Sequence, residues 1–380
     1  MSEISYAKGL EGVIAAESII CKIDGIKGKL FYRGYSINDL AEHSDFEEIT
    51  YLLLYEKLPS KDELISFQKK MRSCRDLPKP VLEMIKSFPE NGKLMELLQS
   101  VISYLSGTIG HTIQHSATCN CKRTLHQIAQ IPSVIAAYDR FRNGKDYIPP
   151  REDLSHGANF LYMLHGKEPT EQEGKIMDVT MLLHAEHGFN ASTFTARVVA
   201  STVSTCYASI SAAIGALYGI LHGGANEKVM AMLDEIGTIE NVESYVDSAL
   251  ENKKKIMGMG HRVYKAKDPR AVVIEKELDE LCKEKNDSDT YDFLKKIETY
   301  FGKIMKESGK DIYPNVDFFS GAVYTHLGIA RDLYTPLFAA SRAPGWLAHI
   351  LEQRKDNRLF RPKALYRGPE PKKYIPVSDR

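Results

Sequence analysis

Residues 198–221, VVASTVSTCYASISAAIGALYGIL, are 24 residues without a charged side chain. At about 1.5 Å of rise per residue a helix of this length could cross a bilayer, so its setting decides between a membrane protein and a large helical core. Six of the residues are Ser or Thr and two are Gly. The flanks are polar and Gly-rich, without the basic cluster or aromatic belt that anchors a span. The reading that follows is a helix buried on most sides within a large helical protein, with no membrane partner. Its Ala, Ser and Gly residues would let another helix approach closely, as at a subunit interface.

Helix signals run through the chain with start and stop marks. Ser44 precedes Glu47 by three, Phe46, Ile49 and Leu53 follow at helical spacing, and Pro59 stops the run. This predicts a capping box at Ser44. Ser60 and Glu63 repeat the device before Leu64, Phe67 and Met71, and Thr170 and Glu173 repeat it before a helix over Ile176–His184 that Gly188 is placed to end. Short links between such helices make neighbours roughly antiparallel. Strand signal is confined to the start, where Ile19–Ile23 and Lys29–Tyr32 flank Asp24-Gly25 as a small hairpin. No strand–helix alternation follows, so the expected class is mostly α, without a parallel sheet or a dinucleotide-binding crossover.

At about 150 residues per domain, 380 residues suggest two domains. Gly223-Gly224 after the uncharged run is the best candidate hinge. Charge density then rises in Asn252–Lys255, Glu275–Asp289 and Lys303–Asp311, as in a smaller, more exposed helical unit. From about Gly321 the chain is apolar again, with Leu337–Leu351 helical around the single tryptophan, Trp346. The tail carries Pro362, Pro369, Pro371 and Pro376, so it is extended and suited to lie over another surface.

Lys plus Arg and Asp plus Glu number 50 each, which leaves no general electrostatic footprint for nucleic acid. Any polyanion binding has to be local. Six scattered cysteines make no disulfide framework, and the N-terminus MSEISYAKGLEG has no basic and apolar leader regions. A cytoplasmic location is the expectation.

Four short stretches concentrate polar groups: LLHAEHGFNAS, ILHGGAN, GMGHRVYKAKDPR and PNVDFFSG. Each has an ordinary structural reading. His184 and His187 could be one buried and one surface histidine, and no HExxH or carboxylate triad marks them as metal ligands. His222 could be a helix C-terminal histidine, and Asp317 a helix N-cap. Gly258 to Gly260 lacks the third glycine and the preceding strand of a dinucleotide loop. His111, His115 and Cys119 stand four apart with Cys121 and His126 beyond, yet match no zinc spacing, so no metal site is expected.

Together the stretches resemble one family. LHGGAN, GHRVYKAKDPRA and NVDFFSG, in that order, followed by SRAPGWLAHILEQ and the RPKALYRGP tail, look like a citrate synthase over nearly the whole length. The resemblance implies a two-domain helical citrate-synthase-like fold. Its large domain would hold residues 1–223 and 328–380, and its small domain residues 224–327. It also implies an acyltransferase of the shorter, homodimeric type that joins acetyl-CoA to oxaloacetate and hydrolyses the citryl thioester, with acetyl-CoA as substrate and no cofactor.

The methyl group beside a thioester is a very weak carbon acid, and a carboxylate of ordinary pKa near about 3.9 cannot deprotonate it alone. A donor must already stand at the thioester oxygen in a dry site. By the resemblance Asp317 is the base and His222 that donor, while His261 protonates the ketone of oxaloacetate. His187 contacts oxaloacetate, and Arg270, Arg342 and Arg361 match the carboxylate clamp, Arg361 reaching in from the partner subunit. Lys255, Ile256, Met257, Gly258, Met259, Gly260 and Arg262 match the CoA loop, whose glycines would let the backbone approach phosphate.

Three positions depart from the family pattern: Tyr218, Ile220 and Pro344. Pro344 is expected to kink or start the helix near Arg342. A 2-methylcitrate synthase using propionyl-CoA shares every residue named and differs by one methylene of pocket, about 1–3 kcal/mol of discrimination. A catalytically silent helical binding module would show loss of Asp317, His222 or His261, and all three are present.

Overall fold

A computed structural model describes residues 6–108 and 122–380, the side chains of 122–124 excepted. The chain opens on an antiparallel sheet of three strands in sequence order, β1 (Cys21–Asp24), β2 (Lys29–Tyr32) and β3 (Tyr35–Ser36). Cys21 faces Tyr32 and Asp24 faces Lys29, so the expected hairpin is present with its first strand starting two residues later. The third strand, Phe31 facing Ser36, was not expected: a two-residue strand leaves no periodicity to read. Asp24 Oδ1 accepts from the Lys27 amide at 3.0 Å and so holds the turn between β1 and β2.

Helices account for nearly all the remaining regular structure among the described residues. The first group is α1 (Ile37–His43), α2 (Phe46–Tyr55), α3 (Lys61–Arg72), α4 (Lys79–Lys86), α5 (Leu94–Thr108), α6 (Lys122–Arg142), α7 (His156–His165) and α8 (Glu171–His184). Capping boxes at Ser60 and Thr170 are formed as expected. The one at Ser44 is not. Asp45 caps α2, its carboxylate accepting from the Glu48 amide at 2.7 Å, while Ser44 Oγ donates to Glu48 Oε2 at 2.6 Å. Glu47 instead points inward, fully buried, and pairs with Arg72 Nη2 at 2.6 Å and Arg75 Nη2 at 3.0 Å. One buried guanidinium, of Arg75, and one partly buried, of Arg72, make Glu47 an interior partner rather than a capping one. α8 stops at His184, four residues before Gly188, with Ala185 in right-handed geometry.

The uncharged run is not one helix. α9 (Ala191–Ser201) ends inside it, and α10 (Cys206–Tyr218) begins after a break at which Val203 takes φ +64°. Thr205 caps α10 by accepting from the Ala208 amide at 3.1 Å, so the Ser/Thr residues noted above serve as a break and a cap. Among the described residues no helix is long and apolar enough to cross a membrane.

Then follow α11 (Ala225–Ile236), α12 (Val242–Glu251), α13 (Pro269–Lys285), α14 (Asp289–Glu307), α15 (Val316–His326) and α16 (Tyr334–Lys355). α13, α15, α11, α14 and α12 pack on one another, whereas α16 packs on α9, α6, α10, α2 and α8. α16 is the central helix: every residue from Ala339 to Ile350 is buried. It runs through Pro344 without a break, so the helix does not start there. An internal proline costs a helix about 3 kcal/mol, and burying Trp346, Leu347 and Ile350 returns about 1.5–3 kcal/mol per side chain. After Lys355 the tail is extended and exposed apart from a single 3-10 turn at Val377–Asp379.

Candidate active site

His222 lies four residues past the end of α10, so it is not a helix C-terminal residue. Its ring is held from α9: Nε2 accepts from the Ser192 amide at 3.2 Å and lies 2.8 Å from Ser192 Oγ. Ser192 Oγ accepts from Trp346 Nε1 at 3.1 Å and lies 2.7 Å from Asn190 Oδ1, and its one proton is available to His222 Nε2. An Nε2 that accepts from an amide carries no proton, so the neutral ring keeps its proton on Nδ1. Burial, then the Arg342 charge, push the pKa of His222 down to about 4, so the ring is a neutral donor at pH 7.

His261 is built the same way from different parts. Its Nδ1 accepts from the Val263 amide at 3.0 Å and the Tyr264 amide at 3.3 Å, which places the ring proton on Nε2. Burial and then Arg270 lower its pKa to about 4. Tyr264 links this loop to the segment after α8, its hydroxyl lying 3.1 Å from His187 Nε2. The His187 and His261 rings are 5.2 Å apart. Burial first, then Arg270, His261 and Arg342, hold His187 well below its ordinary pKa.

The cations come from two helices. Arg270 stands in the first turn of α13 and is gripped by Asp268, which caps that helix through the Arg270 amide at 3.0 Å. Asp268 also forks onto the guanidinium, Oδ1 to Nε at 3.1 Å and Oδ2 to Nη2 at 2.7 Å. Both residues are buried, and despite the cost of burial the Asp268 charge keeps Arg270 protonated. Arg342, buried at the middle of α16, donates from Nε to the His184 carbonyl at 2.5 Å. That contact is possible because Gly345, one turn on, has no Cβ: one would lie 2.2 Å from the Ala185 carbonyl. His184 and Glu186 are both fully buried, and Glu186 Oε1 bonds to His349 Nε2 at 3.0 Å. Of the two histidines of the first motif, His184 is fully buried and His187 partly so.

Asp317 is the second residue of α15, and the N-cap is Asn315, whose Oδ1 accepts from the Asp317 amide at 3.0 Å. That leaves the Asp317 carboxylate free of a capping duty. Burial pushes its pKa up to about 6, against the opposing pull of Arg270 and Arg342. The segment before it is stitched to the 255–260 loop: Gly260 N donates to Tyr313 O at 2.8 Å, Asn315 N to Gly258 O at 2.9 Å and Asn315 Nδ2 to Gly260 O at 2.9 Å. Gly258 takes φ +74°, and a Cβ there would lie 2.8 Å from Phe318 and Val229 side-chain atoms. Gly258 is thus needed for close packing on α15. The amides of Met259 and Gly260 already donate within the protein, to Ile256 O and Tyr313 O.

His187, His222, His261, Arg270, Arg342 and Asp317 accordingly share one electrostatic neighbourhood. Ile256 and Gly258 are buried, Met257, Met259 and Gly260 partly so, and Lys255 and Arg262 exposed. Arg361 lies on the exposed tail. Sequence reading missed Asp268, Tyr264, Ser192 and Trp346. Asp268 had a local signal, an Asp just before a proline that starts a helix. Ser192 and Trp346 are 154 residues apart and had none. His111, His115, Cys119 and Cys121 lie outside the described residues. Among the described residues no group of three or more His, Cys, Asp or Glu is placed to hold a metal ion.

The family model described as citrate synthase, C-terminal domain, matches residues 9–363. A citrate synthase of Deinococcus radiodurans is 44% identical over 378 residues, covering 99% of each chain. Citrate synthase 2 of Bacillus subtilis is 45% identical, covering 99% of this chain and 100% of its own. A 2-methylcitrate synthase of Shewanella oneidensis is 38% identical, covering 98% and 97%. Among solved structures, a ternary complex of carboxymethyl coenzyme A and oxaloacetate with citrate synthase from Thermoplasma acidophilum superposes with a TM-score of 0.91 at 33% identity, covering 99% of this chain and 100% of that one.

Proposed function

The chain belongs to the citrate synthase family, and we propose that it carries out the family's reaction through Asp317, His222 and His261. It is an acyltransferase that condenses acetyl-CoA with oxaloacetate and water to give citrate and CoA. Asp317 removes a proton from the methyl group of acetyl-CoA while His222 Nδ1–H donates to the thioester oxygen, so the charge that develops there meets a fixed donor. The enolised carbon attacks the ketone of oxaloacetate, and His261 Nε2–H delivers a proton to the ketone oxygen as the carbon–carbon bond forms. Water then cleaves the thioester of the citryl-CoA so made, releasing citrate and CoA.

The observation that carries this assignment is the pairing of two neutral histidines, each with one nitrogen fixed as an acceptor by backbone amides, with a carboxyl whose pKa is raised to about 6. A stronger base and two uncharged donors are what enolisation of a thioester requires. His187, Arg270 and Arg342 would hold the carboxylates of oxaloacetate. Arg361 would complete the clamp from the partner of a homodimer, which the exposed tail is free to reach. The 255–260 loop with Arg262 would receive CoA. The proposed domains are 1–223 with 328–380, and 224–327. Gly224, at φ +74° as the N-cap of α11, is the proposed hinge.

A pH profile tests the base. Asp317 works only as the carboxylate, and its acid form accumulates below its pKa. Therefore kcat/KM for acetyl-CoA at saturating oxaloacetate should fall about tenfold per unit below a pH near 6 and be level from about pH 6.5 to 8. An acid limb placed near 4, the ordinary carboxylate range, would remove Asp317 from the role.

A further inference from the structure

The turn between β1 and β2 belongs to no part of the catalytic set, yet it presses on the loop that orients His261 and leads to Arg270. Gly25 has no positive φ, so only proximity restricts it: a Cβ there would lie 2.3 Å from the Val263 carbonyl oxygen and 3.3 Å from Val263 Cγ1. Its own carbonyl accepts from the Lys265 amide at 2.8 Å. Three residues on, Gly28 would place a Cβ 2.9 Å from the Lys267 carbonyl oxygen and 3.2 Å from Ala266 Cβ. Two glycines of one tight turn therefore seat against residues 263–267.

The other end of the hairpin is fixed. Tyr32 is fully buried, and its hydroxyl donates to the Glu186 carbonyl at 2.8 Å and accepts from the Glu186 amide at 3.2 Å. The hairpin thus spans from the segment that carries His187 to the loop that carries His261. Val263 is the link at its tip: its carbonyl meets Gly25 and its amide donates to His261 Nδ1. Lys267 is the corresponding link to Asp268, whose carboxylate forks onto Arg270.

We propose that Gly25 and Gly28 are positioning residues, through which the hairpin sets His261 by way of Val263 and Arg270 by way of Lys267 and Asp268. Neither glycine is among the residues assigned above to substrate. The proposal rests on the roles assigned above to His261 and Arg270, and it divides their consequences between two kinetic constants. A Cβ at position 25 displaces the Val263 amide from His261 and lowers the rate of the step that His261 assists. A Cβ at position 28 displaces the peptide before Asp268 and weakens the hold on oxaloacetate.

The test compares Gly25→Ala, Gly28→Asn, Ile26→Ala and His261→Ala by steady-state kinetics, with thermal unfolding of each. Asn is used at 28 because it tolerates the φ of +60° found there. Ile26 is 81% exposed in the same turn and serves as the control. Gly25→Ala should lower kcat about 10–100-fold, since displacements near 1 Å have that order of effect, with the KM for acetyl-CoA within about threefold. Gly28→Asn should raise the KM for oxaloacetate about tenfold with a smaller change in kcat, and Ile26→Ala should stay within about twofold of wild type. A merely structural role would lower unfolding temperature without separating the two constants. Folded Gly25→Ala and Gly28→Asn with wild-type constants overturn the proposal, as does an Ile26→Ala loss equal to that of Gly25→Ala. Loss in His261→Ala with none in Gly25→Ala overturns the positioning role alone, whereas wild-type kcat in His261→Ala overturns the acid assignment and the proposal with it. Should Gly25→Ala not fold, the oxaloacetate KM of Gly28→Asn decides.

Discussion

Asp317→Ala should lower kcat by about 10³–10⁴-fold, the upper part of the range for removal of a general base, and should at the same time make the protein more stable at neutral pH. Both effects have one cause. Burial raises the pKa of Asp317 from 3.8 to about 6, so the folded state holds a carboxylate that the unfolded chain would solvate better. For an acid raised in this way the penalty is fully present above the folded pKa and disappears below the unfolded one. By linkage it is on the order of 3 kcal/mol above about pH 6 and absent below about pH 4. Thermal unfolding at pH 7 should therefore favour Asp317→Ala, and at pH 4 the difference should close. Oxaloacetate binding, assigned above to Arg270 and Arg342, should change little. Unchanged turnover would refute the assignment, and lower stability at pH 7 would refute the desolvation argument.

Asp268→Ala should have the largest structural effect of any substitution near the site. Asp268 and Arg270 are both buried, and the two bonds between their side chains are the contacts that let a guanidinium sit there. Removing one member of a buried pair leaves the other uncompensated, at a cost of about 3–5 kcal/mol. The α13 cap is lost with it, about 1 kcal/mol more. Chemical denaturation should show the loss in the midpoint. Saturating oxaloacetate should return part of it, because a dicarboxylate can supply the missing anion to Arg270. A wild-type midpoint would show that Arg270 reaches solvent.

The parts of the fold that were legible in the sequence are those fixed by short-range chemistry. Ser60 with Glu63 and Thr170 with Glu173 form the capping boxes their spacing suggests. Where a distant partner competes, the same pattern misleads: Glu47 has the spacing of a capping-box acid, but Arg72 and Arg75 draw it inside. Pro344 likewise does not start a helix, because burial along the middle of α16 outweighs the local cost of a proline. The uncharged run 198–221 divides because Thr202, Ser204 and Thr205 offer a break and a cap, information that hydropathy averages away.

The candidate site shows the same division. Asp317, His222, His261, Arg270 and Arg342 were visible because each stands in a motif of distinctive residues. The groups that orient them were not. Trp346 reaches Ser192, and Gly25 reaches Val263, only after the chain has folded. Arg361 was named from the same motifs, and its side chain lies on the exposed tail.

One measurement bears most directly on the reaction itself: kcat/KM for acetyl-CoA and for propionyl-CoA, each with oxaloacetate, followed by thiol release with the product identified. The pocket of Asp317 and His222 is assigned to a methyl thioester, and one methylene is worth about 1–3 kcal/mol, or roughly 10–200-fold. The predicted result is oxaloacetate-dependent release of CoA, citrate as product, and acetyl-CoA preferred within that range. Preference for propionyl-CoA with 2-methylcitrate as product, or no thiol release from either, would contradict it.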